Sequence, residues 1–174
     1  MSGGVLIARG GEAVAARGLG RSCTSVGALI DTNVLVYSLD TDEVIKRHRA
    51  HDVLRRLQMH RAGEVCSQVL GEHHSVVRRR FAHAYGPSEA VRATERWARA
   101  FPVHDTSLRV VLEALRATVR YQMPYYDAQI WAVARVNHIP LVLSEDFADG
   151  AVIEGVRFAN PFAEGFDLDA LLAL

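Results

Sequence analysis

Ala28-Leu29-Ile30-Asp31-Thr32-Asn33-Val34-Leu35-Val36-Tyr37 is the stretch that decides how this chain folds. An apolar run breaks into Asp-Thr-Asn and then resumes. A short apolar run with a polar end reads as a buried strand whose carboxyl end delivers Asp31 and Asn33. Pro140-Leu141-Val142-Leu143-Ser144 reads as a second buried strand, with Asp146 two residues beyond it. Val65-Cys66 and Val103-His104 are short strands, and Gly155-Val156-Arg157-Phe158 reads as an edge strand. Helical periodicity fills the intervals. Asp42-Glu43 opens a helix to about His60 with Val44, Ile45, Ala50, Val53, Leu54 and Leu57 facing in. Ser67 reads as the N-cap of a helix from Gln68 to about His83. Further helices run from the Gly86-Pro87-Ser88 turn to Ala100, from the Ser107 cap to Arg120, and from Tyr125 to Asn137 after Pro124. Strands alternating with helices imply a three-layer α/β/α fold with a central parallel sheet of four to five strands. In such sheets ligands bind beyond the carboxyl ends of the strands.

The whole-chain averages restrict the class. The 174 residues suit one domain, and 49% hydrophobic with 23% charged residues supports a packed core rather than disorder. No apolar run approaches the ~18 residues of a membrane span. Two cysteines, Cys23 and Cys66, cannot build a disulfide framework, which points to a reducing, cytoplasmic setting. The net charge of +0 hides an asymmetry. Residues 46–80 carry nine Lys/Arg against Asp52, Glu64 and Glu72, whereas residues 144–174 carry seven acids against Arg157. The basic stretch reads either as a footprint for a polyanion or as a solvated helix face. Residues 1–26 are Gly/Ala/Arg/Ser-rich, and Val5-Leu6-Ile7 is too short for a signal-peptide core. They read as a flexible extension or a misassigned start and are set apart from the functional argument.

Four carboxylates converge on this reading. Asp31 and Asp146 follow the two buried strands. Glu72, between Val69 and Val76, and Asp127, ahead of Ile130, Trp131 and Ala134, start the inward stripes of helices that begin at the same sheet edge. Singly, each has a structural explanation as a turn cap or a helix-dipole complement. Together they repel: two carboxylates ~4 Å apart cost about 4 kcal/mol at an effective dielectric of ~20. Such a cluster protonates in part or holds cations. Oxygen-only ligation, with no Cys or His at ligand spacing, selects Mg²⁺ or Mn²⁺ over zinc, ions suited to phosphodiester displacement.

The stretch 28–37 resembles the opening of a PIN domain. Ser67-Gln68-Val69-Leu70-Gly71-Glu72, Tyr125-Tyr126-Asp127-Ala128-Gln129-Ile130 and Leu143-Ser144-Glu145-Asp146 resemble its later acidic motifs, in order. Gly155-Val156-Arg157-Phe158-Ala159-Asn160-Pro161-Phe162 is similar to the bacterial VapC-type branch. The resemblance spans residues 27–162 and leaves 163–174 as a carboxyl tail or short docking helix. It implies a PIN-like, metal-dependent endoribonuclease acting on RNA as the toxin of a toxin–antitoxin pair, with a cognate antitoxin and a homodimeric state. By motif, Asp31, Glu72, Asp127 and Asp146 would be the catalytic residues and would bind Mg²⁺ or Mn²⁺. Asn33 would orient Asp31, Ser144 would bond within the cluster, and Asp149 would be an outer-shell acid. Pro124 departs from the pattern, which often has a small hydroxyl residue there.

Other features have two readings. His73 and His74 do not form His-Glu-x-x-His. Arg78-Arg79-Arg80 could grip an RNA backbone or line a solvated face. Tyr125 and Tyr126 could stack on a base or pack in the core. The apolar tail Leu168–Leu174 calls for a surface to cover it. Competing functions are a PIN-fold nuclease without a toxin role, a DNA-cleaving enzyme, a non-catalytic nucleic-acid-binding module, and a haloacid-dehalogenase-like phosphotransferase. The last wants a second acid where Asn33 stands and a later lysine, whereas Lys46 is the sole lysine.

Overall fold

The computed structural model describes residues 26–172, and the expectation for residues 1–25 lies outside them. The elements in order are β1 (Ala28–Ile30), α1 (Thr32–Tyr37), α2 (Val44–Met59), β2 (Gly63–Cys66), α3 (Ser67–Arg80), α4 (Pro87–Ala100), β3 (Val103–His104), α5 (Leu108–Arg120), α6 (Tyr125–Val136), β4 (Leu141–Leu143), β5 (Val152–Ile153), β6 (Val156–Ala159) and α7 (Leu168–Leu172). The sheet has six strands in the order β3-β2-β1-β4-β6-β5. All pairs are parallel except β5–β6. The three-layer α/β/α reading holds, with one strand more than the four to five expected.

The extra strand corrects the edge assignment. Val156–Ala159 lies inside the sheet, and the two-residue β5 is the edge. Glu154 and Gly155 both have positive φ (46° and 85°). Those values suit a two-residue hairpin turn that matches the strand twist, and glycine adopts them without steric cost. So short a strand carries no periodic signal.

β1 and β4 pair at the centre, and every one of their residues is buried. Beyond Ile30 the chain does not stay extended. Asp31 caps α1 by accepting from the Thr32 N–H at 2.6 Å, and Val34, Leu35 and Val36 are buried on that helix. Burial overrides the modest helix penalty of the β-branched residues there. In α2 the inward face is Ala50, Val53, Leu54 and Leu57, while Val44 and Ile45 are exposed. The N-cap of α3 is Cys66 rather than Ser67, whose hydroxyl instead bonds Thr106 Oγ1 at 3.0 Å. Ser107 does cap α5, accepting from the Val110 N–H. The described part of the apolar tail is covered by the chain itself: Leu168 and Leu172 of α7 are fully buried in the main core. Each such leucine contributes about 1.5–3 kcal/mol.

Candidate functional site

Helices α1, α3 and α6 begin at the carboxyl edge of the sheet, and there they enclose a cleft of about 230 Å³. Asp31, Glu72, Asp127 and Asp146 all line it, so the fold brings the four acids together from β1, α3, α6 and the loop after β4. Asp31 is buried at the junction of β1 and α1. Its Oδ2 accepts from Ser144 Oγ at 2.6 Å and from Asn33 Nδ2 at 3.2 Å. Asn33 Nδ2 also donates to Asp146 Oδ2 and to Ser144 Oγ, both at 3.1 Å. Ser144 Oγ in turn accepts from the Asp146 N–H at 3.1 Å. One amide and one hydroxyl thus tie the carboxylate after β1 to the carboxylate after β4. Thr32 Oγ1 donates to Glu72 Oε2 at 2.9 Å and fixes the third acid.

The inward stripe of α3 differs from the expected one. Val69, His73 and Val77 are buried, while Glu72, Val76 and Arg80 form the adjacent stripe along the cleft. A carboxylate at the edge of the stripe keeps its charge near solvent, and a fully inward one would not. His73 is turned into the seam with α4, its Nδ1 2.9 Å from Thr94 Oγ1. Burial first, then the nearby charges of Arg96 and His74, push it down to about 4, so it is neutral at physiological pH. Asp149 is not brought into the cleft; its Oδ1 accepts from the Asn160 N–H at 2.8 Å on another face. Tyr126 lines the cleft, whereas Tyr125 packs against the core. A model of the PIN domain matches residues 28–148.

This chain belongs to the PIN domain family. No curated protein sequence matches it significantly. Among solved structures, it is similar to a toxin–antitoxin complex from Klebsiella pneumoniae at 20% identity and TM-score 0.56, covering 78% of this chain and 98% of that one. VapC20 of Mycobacterium tuberculosis, a sarcin–ricin-loop-cleaving toxin, aligns at 21% identity and TM-score 0.57 over 75% of this chain and 99% of that one. VapBC2 of Rickettsia felis, bound to a promoter DNA fragment, aligns at 14% identity and TM-score 0.57 over 76% of this chain and 97% of that one. At these identities the likeness is one of fold.

The PIN cleft is electrostatically unfinished. Burial, more than any other cause, pushes the Asp31 carboxyl up to about 7. The bonds from Ser144 and Thr32 oppose this, and the charges of Asp146 and Glu72 add to it. Asp127 is also held above the usual carboxylate range, by burial first and then by Asp146 and Glu72. Two amide oxygens of cleft residues, Asn33 Oδ1 and Gln68 Oε1, are buried without a donor among the described residues. Among the described residues, no three Asp, Glu, His or Cys side chains close into a preformed cage. An all-oxygen set of acids held apart by hydroxyl and amide bonds, beside acceptors that lack donors, fits a hydrated hard cation. Mg²⁺ keeps several waters and binds proteins through only one or two direct carboxylates.

The sequence alone gives no role to Thr32, Gln68, Tyr37, Glu145 or Lys46. Thr32 and Gln68 sat inside motifs already recognised, but only the fold shows which partners they meet. Tyr37 donates to Glu145 Oε1 at 2.6 Å, and Lys46 Nζ reaches Glu145 Oε2 at 2.6 Å and the Tyr37 hydroxyl at 2.9 Å. This triad pins the residue before Asp146, across more than 90 residues of sequence. The basic segment 46–80 does not ring the cleft: of its nine bases, Arg80 alone lines it.

Proposed function

We propose that this PIN domain is a metal-dependent endoribonuclease that hydrolyses RNA phosphodiester bonds as the toxin of a toxin–antitoxin pair. The observation that carries the reading is the convergence of Asp31, Glu72, Asp127 and Asp146 from four elements on one cleft, linked by Asn33, Ser144 and Thr32. These four acids would hold Mg²⁺ or Mn²⁺. Bound there, such an ion supplies a water acidified toward hydroxide and neutralises charge gathering on the phosphate. The protein's own part is positional. Asn33 donates to Asp31 and Asp146 together and keeps their oxygens aimed into the cleft. Ser144 donates to Asp31 from behind, and Thr32 stops Glu72 from swinging to solvent. Tyr126, exposed on the rim, offers a face for an unpaired base.

Partners follow from the same reading. The toxin–antitoxin complexes among the structural neighbours support an antitoxin as cognate partner, and an RNA substrate supports a cytoplasmic site of action. No helix among the described residues is long and apolar enough to cross a membrane. A homodimer is supported by α5, where Leu108, Leu112, Leu115 and Val119 are all exposed on one stripe, opposite the buried Val110, Ala114 and Ala117. The direct test is cleavage of an RNA mixture by the purified chain. Cleavage should stop in EDTA and return with Mn²⁺. Undiminished cleavage in EDTA would overturn the metal mechanism.

A further inference from the structure

The geometry points to Arg80 as the residue that grips an RNA phosphate flanking the scissile one, a contact that rests on the nuclease reading above. Glu72, Val76 and Arg80 recur every fourth residue on α3 and all line the cleft, so one helix face runs from the acid cluster to the arginine. Eight residues of helix place their backbones about 12 Å apart. With its guanidinium held at Asp40, a base two turns along the helix lies beside the acid cluster rather than within it. It meets a neighbouring phosphate of the same strand.

Cleft position and an anchor separate Arg80 from Arg78 and Arg79 beside it. It alone of the three lines the cleft. Its guanidinium is anchored from one side, donating to Asp40 Oδ2 at 2.5 Å. Asp40 is itself only 1% exposed and is fixed through its other oxygen by the Asp42 N–H at 3.1 Å. Yet the Arg80 side chain is 47% exposed. The carboxylate occupies one nitrogen of a planar group with five N–H donors, and the guanidinium also lies 5.4 Å from the centre of the Phe81 ring. A guanidinium oriented from behind loses little freedom when it meets a phosphate in front. The remaining cation near the cleft, Lys46, is engaged by Glu145 and the Tyr37 hydroxyl. Among the described residues, an anionic strand entering among four carboxylates therefore finds one cationic side chain on the lining, and it is Arg80.

The test is binding of a labelled 12-nucleotide single-stranded RNA to the full-length Asp31→Asn chain in Mg²⁺, measured across a salt series, with cleavage by the unaltered chain followed alongside. Asp40→Asn combined with Arg80→Gln leaves no buried charge unpaired and keeps the fold assayable by melting. This pair should weaken binding about tenfold at low salt and make the slope of log K against log salt shallower by about 0.7, the loss of one phosphate contact on a single strand. Arg80→Lys should keep most of the slope, as should Asp40→Asn alone, and Arg78→Gln and Arg79→Gln should leave it unchanged. An unchanged slope in the double variant, or an equal loss from Arg79→Gln, overturns the assignment while RNA cleavage by the unaltered chain still stands. Absence of both cleavage and RNA binding overturns the assignment together with the nuclease reading.

Discussion

Glu154, at the turn between β5 and β6, is surrounded by opposite charge. Arg135 Nε lies 2.5 Å and Arg120 Nη1 2.8 Å from its carboxylate, and the Tyr121 hydroxyl donates to it as well. That hydroxyl first, and Arg135 next, hold the carboxyl below its usual range. Asp31, at the end of β1, is surrounded by Glu72 and Asp146, receives only neutral donors, and is held far above its usual range. One molecule thus contains a carboxylate whose partners complete it and another whose partners leave it in need of a cation. The first arrangement fastens a turn to α5 and α6. The second leaves unfavourable electrostatics at the carboxyl edge of the sheet, the edge at which open α/β sheets generally take ligands.

Mutations should separate the two regions. Asp31→Asn should reduce RNA cleavage by at least about 10²-fold, since even partners of metal ligands commonly cost 10–100-fold. Initial-rate assays at saturating Mn²⁺ check this, and a loss below threefold would break the comparison. Asn33→Ala and Ser144→Ala remove a bond between acids rather than an acid. Each should cost about 10–100-fold, with part of the loss recovered at higher Mn²⁺, as read from cleavage rates over a metal titration. Glu154→Gln should leave cleavage unchanged and lower the melting temperature slightly, because its ion pairs are partly exposed. Its carboxyl titrates below the usual range, so its contribution is present above the ordinary pKa of a free glutamate and is lost as pH falls through the depressed value. Melting curves of the variant and the parent should therefore converge in acid.

The acid-cluster half of this contrast is legible in the sequence, for definite reasons. Asp31 and Asp146 follow short, wholly apolar runs that read as buried parallel strands, and the carboxyl edge of such a sheet fixes their location. Asp127 precedes Ile130 and Trp131 at helical spacing, and the structure buries both. Glu72 lines the cleft but stands one step off the inward stripe that its spacing predicts, because His73 takes the inward position. A histidine in a core stripe looks polar in sequence, and only the seam with Thr94 accounts for it. Arg80 looked like its neighbours because the residue that sets it apart, Asp40, lies 40 positions away and is selected by packing. The Lys46–Glu145 pair is equally non-local. The edge hairpin escaped notice because two-residue strands have no period, leaving Glu154-Gly155 as its sole local mark.

The most direct test of the account is the thermal stability of the full-length chain and its Asp31→Asn variant, in EDTA and in Mn²⁺, from pH 4 to 8. In the folded chain burial raises the Asp31 carboxyl to about 7, whereas an unfolded aspartate releases its proton near the ordinary 3.8. Its contribution to stability therefore falls as pH rises from about 4 to about 7, and the full penalty persists above that. In EDTA the variant should melt at the same temperature as the parent near pH 4 and higher near pH 8. Mn²⁺ should reverse the order at pH 8, raising the parent by the equivalent of about 2.7 kcal/mol at a hundredfold excess over Kd and the variant by much less. A parent that is the more stable of the two in EDTA at pH 8, and that gains nothing from Mn²⁺, would contradict the claim that this cleft is built around missing positive charge.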